Sequence, residues 1–164
     1  MKLYHGTYYK IDYIDLNRCH FGLHFGNICQ AIDKIELKYD GTRYDWDKGF
    51  LYVYEINEDE LNMHCLGISD IFLYDDEFIF NLKRTIIASL NVKYKNIDKS
   101  HIRNIEKCLD EEEIRNILIN DFSIYYLKYK NKYETDGISY CIINENILKN
   151  IKEYKLKDYL ISNI

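Results

Sequence analysis

The sequence predicts one α+β domain in which strands from the two ends of the chain share a sheet and frame a cleft, with helices between them. Three observations lead there. β-rich runs stand at residues 2–4, 124–129 and 137–143, and apolar residues recur at three- and four-residue steps through the middle of the chain. One alternating run, residues 50–56, precedes that helical middle.

In chain order, residues 2–4 read as a short strand that delivers His5, and residues 8–16 carry no clear helical period and read as irregular. Asn27 can cap a helix whose stripe, Ile28, Ala31, Ile32 and Ile35, runs to about residue 38 before a turn at Asp40-Gly41. Residues 50–56 put Leu51, Val53 and Glu55 on one face and Phe50, Tyr52, Tyr54 and Ile56 on the other, the pattern of a central strand. Asp75 or Asp76 caps a helix carrying Ile79, Leu82, Ile86 and Leu90, and Asp98 opens another with Ile102, Ile105 and Leu109. Asp110 and Glu113 have the spacing of a capping box, which predicts a short helix through Ile119. The last twenty residues, with Ile147, Ile151, Tyr154, Leu156, Leu160 and Ile161, mix both periods.

At 164 residues the chain can bury roughly two thirds of the surface it exposes when unfolded, so it needs neither metal nor disulfide to fold. A 47% hydrophobic and 30% charged composition without proline excludes a disordered tail or linker. The net charge of −5 opposes attraction to phosphate backbones and disfavours nucleic acid as a partner. Cys19, Cys29, Cys65, Cys108 and Cys141 are odd in number and scattered, as reduced thiols of a cytoplasmic protein are. Met1-Lys2 leads straight into a strand pattern, and no apolar run approaches the ~18 residues of a membrane span, so neither a secretory leader nor a membrane segment is expected. Cys19, His20, His24 and Cys29 are metal-ligand types, but they lack the paired spacing of a structural zinc site, and no metal is expected.

The chemistry concentrates near the N-terminus. A histidine beside a glycine at a strand end, His5-Gly6, lets an imidazole bond a ribose hydroxyl while a planar carboxamide approaches the backbone, and Thr7 can add a contact. Phe21-Gly22-Leu23-His24-Phe25-Gly26 then sets rings and glycines before a helix N-terminus, whose unpaired N–H groups favour an anionic ligand. The same residues also read as core rings and turn glycines.

Taken together, Leu3-Tyr4-His5-Gly6-Thr7, the Gly22-Leu23-His24-Phe25-Gly26 segment and Gln30-Ala31 resemble the N-terminal half of the ADP-ribosyltransferase superfamily, in its bacterial and phage-borne branch. Asp136-Gly137-Ile138-Ser139-Tyr140 and Ile142-Ile143-Asn144 ahead of Ile147 resemble that branch's C-terminal strands and the turn closing them. Glu55-Ile56-Asn57, on through Leu61 to Asp70, is similar more loosely to its central strand, and residues 75–120 match no motif.

The resemblance implies an ADP-ribosyltransferase-like fold framing an NAD cleft. It implies a mono-ADP-ribosyltransferase that splits its substrate NAD at the nicotinamide–ribose bond and passes ADP-ribose to an acceptor. It assigns His5 to the ribose, Gly6 to nicotinamide through its backbone, and His24 to the place of a stacking tyrosine, with Phe25 as the neighbouring alternative. The broken bond leaves an oxocarbenium-like sugar, for which a fixed carboxylate is wanted. The branch carries one in an insertion between the Asp-Gly-Ile and Ser-Tyr strands, which are fused here. That leaves Glu145, nine residues after Asp136, as the favoured acid and Glu134 as the other. The acceptor is expected to be a protein, with nucleic acid left open, and water as acceptor would make the protein an NAD glycohydrolase. A toxin, effector or anti-defence role, with an antitoxin or immunity partner, follows from the same resemblance. The rival classes are a nucleotide- or protein-binding module of the same fold and transfer of an RNA 2′-phosphate to NAD. The acidic balance and the scattered Arg18, Arg43, Arg84, Arg103 and Arg115 speak against the last.

Overall fold

The computed structural model describes residues 1–19, 21–36, 48–69, 77–131 and 137–163. In chain order the elements are β1 (Lys2–Thr7), β2 (Leu23–Phe25), α1 (Ile28–Glu36), β3 (Phe50–Glu55), α2 (Glu58–Met63), β4 (Cys65–Gly67) and α3 (Phe78–Lys93). They continue with α4 (Lys99–Lys107), α5 (Glu111–Phe122), β5 (Tyr126–Asn131), β6 (Gly137–Ile142), α6 (Glu145–Leu148), β7 (Lys152–Lys155) and α7 (Leu156–Asn163). The architecture is mixed α and β, as expected, but the strands divide between two sheets rather than sharing one.

The three-stranded sheet has the order β1-β3-β7 with both pairings antiparallel, so β3 is its centre, as its alternation predicts, and the two ends of the chain flank it. The four-stranded sheet has the order β2-β6-β5-β4, antiparallel except for the β4–β5 pair. A lone bridge joins the sheets: the Tyr4 N–H donates to the Gly26 carbonyl at 2.9 Å, and the Gly26 N–H to the Tyr4 carbonyl at 2.8 Å.

Alternation along β3 then builds two cores at once. Leu51 and Val53 face Ala31 and Ile35 of α1 and Leu156 and Tyr159 of α7, while Tyr52, Tyr54 and Ile56 meet Leu23, Phe25, Tyr126 and Ile142 across the gap between the sheets. The far side of the four-stranded sheet, with Leu127, Tyr129 and Cys141, is covered by Leu82, Ile86 and Leu90 of α3, Ile105 of α4, and Ile114 and Leu118 of α5. Each such fully buried aliphatic side chain contributes about 1.5–3 kcal/mol. No helix among the described residues is long and apolar enough to cross a membrane.

The helix caps follow the sequence with local corrections. Asp98 accepts from the Ser100 N–H at 2.8 Å and Asp110 from the Glu113 N–H at 2.9 Å, but the Glu113 carboxylate reaches back to Leu109 rather than to Asp110, at 2.7 Å. Leu109 lies beyond the end of α4 and is exposed, because the helix stops at Lys107 with Cys108 as its C-cap. α3 begins after Glu77 with no side-chain cap. Asp75, Asp76 and the Asp40-Gly41 turn lie outside the described residues.

Candidate functional site

β1 carries His5 into the space between the sheets. Leu3 and His5 share one strand face, and the His5 ring stands 5.7 Å from that of Phe25 and 6.2 Å from that of Tyr52. Its Nδ1 lies 2.7 Å from the backbone carbonyl of His24. A carbonyl only accepts, so Nδ1 carries the proton, and in the neutral ring Nε2 is the acceptor. That is the tautomer a hydroxyl donor requires.

Gly6 has a structural reason of its own. A Cβ there would stand 1.8 Å from the Ala31 carbonyl oxygen, so the missing side chain seats α1 on β1. The peptide groups of Gly6 are a separate matter. Tyr4 turns its N–H and C=O to Gly26, away from β3, and strand alternation turns those of Gly6 to the same edge. Continued pairing would set Gly6 opposite His24, yet β1 and β2 share only the Tyr4–Gly26 bridge, and the His24 carbonyl is taken by the His5 ring instead. The two strands therefore part beyond the bridge, with the His5 ring and the Gly6 edge on one side and β2 on the other.

Past β1, the Thr7 hydroxyl accepts from the Tyr9 N–H at 3.2 Å and shapes the turn off the strand. The chain then runs over Tyr52, whose hydroxyl accepts from the Ile11 N–H at 2.7 Å and donates to Glu153 at 3.2 Å. Burial pushes that hydroxyl's pKa up. Lys10 pairs with Glu153 at 3.3 Å.

On β2 the pleat separates the two predicted ring contacts. Phe25 faces His5 but is 1% exposed, a core ring. His24 points to the other face, edge-on to Tyr129, with Nδ1 2.6 Å from the Tyr129 hydroxyl. Its carbonyl, not its ring, meets His5.

Gln30 ties the seam together. Its side-chain oxygen accepts from the Asn27 N–H at 2.8 Å while Asn27 accepts from the Gln30 N–H at 2.9 Å, a reciprocal capping box at the start of α1. Its amide nitrogen donates to Ser139 of β6 at 3.1 Å. The Asn-x-x-Gln spacing was visible in the sequence; the reach to β6 and the role of Tyr129 were not, because both depend on sheet register.

Glu145 stands elsewhere. In the antiparallel β2–β6 pair Tyr140 is opposite Phe25 and Ile142 opposite Leu23, so β6 runs away from Gly26, and Glu145 opens α6 beyond its far end, exposed. Five residues at a strand's rise separate it from Tyr140 by roughly 15 Å. Glu134 and His20 lie outside the described residues. Among the described residues no three His, Cys, Asp or Glu side chains gather as metal ligands.

A cavity of about 520 Å³ lies apart from all these residues, lined by Glu77, Ile79, Phe80, Lys83, Cys108 and Leu109. Among its described lining residues the one ammonium, Lys83, already donates to the carbonyls of Glu106 and Cys108, both at 3.0 Å. Comparisons with protein-family models, with curated proteins and with solved structures find no match to this chain.

Proposed function

We propose that this chain cleaves NAD at the nicotinamide–ribose bond and transfers ADP-ribose to a macromolecular acceptor, as the ADP-ribosyltransferases that its motifs resemble do. The observation that carries the reading is the 2.7 Å contact between His5 Nδ1 and the His24 carbonyl, which puts the ring proton on Nδ1 and makes Nε2 the acceptor nitrogen of the neutral ring. In this reading Nε2 accepts from a ribose hydroxyl, and the N–H and C=O of Gly6 pair with the carboxamide of nicotinamide. A carboxylate near the sugar stabilises the charge developing there, and losing about 3 kcal/mol of that stabilisation slows the step more than a hundredfold. The net charge of −5 favours a protein acceptor over nucleic acid.

The exposed place of Glu145 at the far end of β6 favours a second reading, a nucleotide- or protein-binding module of the same fold without an acid. Glu134, three residues ahead of Gly137 in sequence, is the other carboxylate to test. Nicotinamide release from NAD, with and without a cell lysate, is measured for the wild type, His5→Ala, Glu145→Gln and Glu134→Gln. Release that requires His5 and one of the two carboxylates supports the transferase, and stimulation by lysate separates it from a glycohydrolase. NAD binding with no release in any condition leaves the binding module.

A further inference from the structure

Two described non-glycine residues have positive φ, Phe21 at 61° and Ser123 at 51°. Ser123 ends α5 in the left-handed conformation that commonly closes helices. Phe21 has no such reason. It is a bulky residue in a region such residues avoid, and its ring is fully buried against the helical layer.

Two residues one turn apart on α5 hold it there. Glu111 Oε2 accepts from the Phe21 N–H at 2.7 Å, and Arg115 Nη1 donates to the Phe21 carbonyl at 3.4 Å. Arg115 is 5% exposed, pairs with Glu111 at 3.8 Å, and sends its other nitrogen to the Asn17 side chain. Both peptide groups of the strained residue are therefore clamped by one ion pair. The next residue, Gly22, has no room for a side chain, since a Cβ on it would meet the Ile142 carbonyl at 2.5 Å. β2 starts directly after it, and His24, whose carbonyl holds His5, is three residues from the clamp.

We infer that Glu111 and Arg115 are positioning residues for the seam: by imposing the left-handed turn at Phe21 they fix the course of β2, and so the place of the carbonyl that holds the His5 tautomer. The catalytic consequence rests on the NAD-cleaving reading; the structural one does not. A displacement of about 1 Å at the His24 carbonyl is enough to cost on the order of a hundredfold in rate.

The test is histidine-labelled ¹⁵N NMR on the full chain without ligand, beside melting curves and nicotinamide release. Glu111→Ala should lose the His5 Nδ1–H signal and populate both tautomers, with release falling about a hundredfold where the wild type is active. Glu111→Gln, which keeps an oxygen for the Phe21 N–H, should restore the signal. Asp110→Ala, which removes the α5 cap without touching Phe21, controls for lost stability and should retain the signal. An Nδ1–H signal in Glu111→Ala equal to that in Asp110→Ala overturns the inference, as does failure of Glu111→Gln to restore it. If Glu111→Ala does not fold, Arg115→Lys decides by the same signal. A wild type that releases no nicotinamide defeats the NAD-cleaving reading alone, because the tautomer still reports on the clamp.

Discussion

The carbonyl oxygen of Ala31 occupies the space where a side chain on Gly6 would begin, 1.8 Å from the Cβ position. The same turn of α1 fills the corresponding space at Gly26 and Gly137, whose Cβ positions lie 2.2 and 2.9 Å from side-chain atoms of Gln30. Glycines on both sides of the seam thus admit one helical turn across it.

Gly6→Ala should be the most costly of these substitutions, because backbone meets backbone and α1 has to lift. A loss of about 3 kcal/mol or more is expected, which for a chain of this length lowers the melting temperature by roughly 6–12 °C. Gly137→Ala meets the side-chain amide of Gln30 at 2.9 Å rather than backbone at 1.8 Å and should cost less. Urea unfolding of the two variants ranks them, and equal losses would refute the backbone contact.

Gln30→Ala removes half of a part-buried capping box and the buried partner of Ser139. About 2 kcal/mol of lost stability is expected, from roughly 1 for the cap and 1 for the hydrogen bond. Adding Ser139→Ala to Gln30→Ala should cost little more, and fully additive losses in a double-mutant cycle would show that the two side chains act independently.

Alkaline pH should destabilise the fold through its paired tyrosines. Burial and the Tyr159 hydroxyl, 3.2 Å away, push the Tyr4 pKa up to about 12, and burial raises Tyr54 and Tyr126, whose hydroxyls meet at 2.9 Å between the sheets. Unfolded tyrosines ionise near pH 10. Between about pH 10 and 12 the unfolded chain has therefore released protons that the folded chain keeps, so this stabilisation is complete below pH 10 and is lost as pH rises. Urea midpoints measured at about pH 8.5, 10 and 11.5 should fall across the upper interval, and a flat series counts against it.

Thiol labelling should single out one residue. Of the five free cysteines only Cys29 is exposed; Cys108 and Cys141 are buried, and Cys19 and Cys65 are half-buried. Burial raises the pKa of all four others, that of Cys65 to about 11, which suppresses the reactive thiolate. An aromatic disulfide reagent near neutral pH should titrate one fast thiol in the native protein and the remaining four only in urea. A second fast thiol would show that one of these burials is wrong.

What the sequence revealed was local. Asn27, Asp98 and Asp110 cap helices because a cap needs only residues two or three positions away, and the alternation of residues 50–56 was enough to identify β3 as a buried strand. α2 had a readable start, Asn57 before Glu58, Asp59 and Glu60, but only six residues to show a period. The second sheet was hidden because it depends on pairings such as Leu66 with Leu127, far apart in the chain. The candidate site divides the same way. His5 stood out as a type beside Gly6, whereas the turning of the His24 ring to the opposite sheet face and the distance of Glu145 follow from pleat and register. Nothing local marked Phe21 as left-handed, since its clamp comes from α5, ninety residues on.

The order β1-β3-β7 also has a temporal meaning. β3 pairs on one side with residues 2–7 and on the other with residues 152–155, so one of its two ladders cannot begin until a further hundred or so residues have followed β3. Contacts so far apart in sequence slow folding. During synthesis, β1 and β3 can meet early as a two-stranded ribbon, leaving an edge of β3 bare and open to pairing with other chains. A chain held short of residue 152 stays in that vulnerable form, and only the pairing of Lys152–Lys155 with Phe50–Val53 ends it.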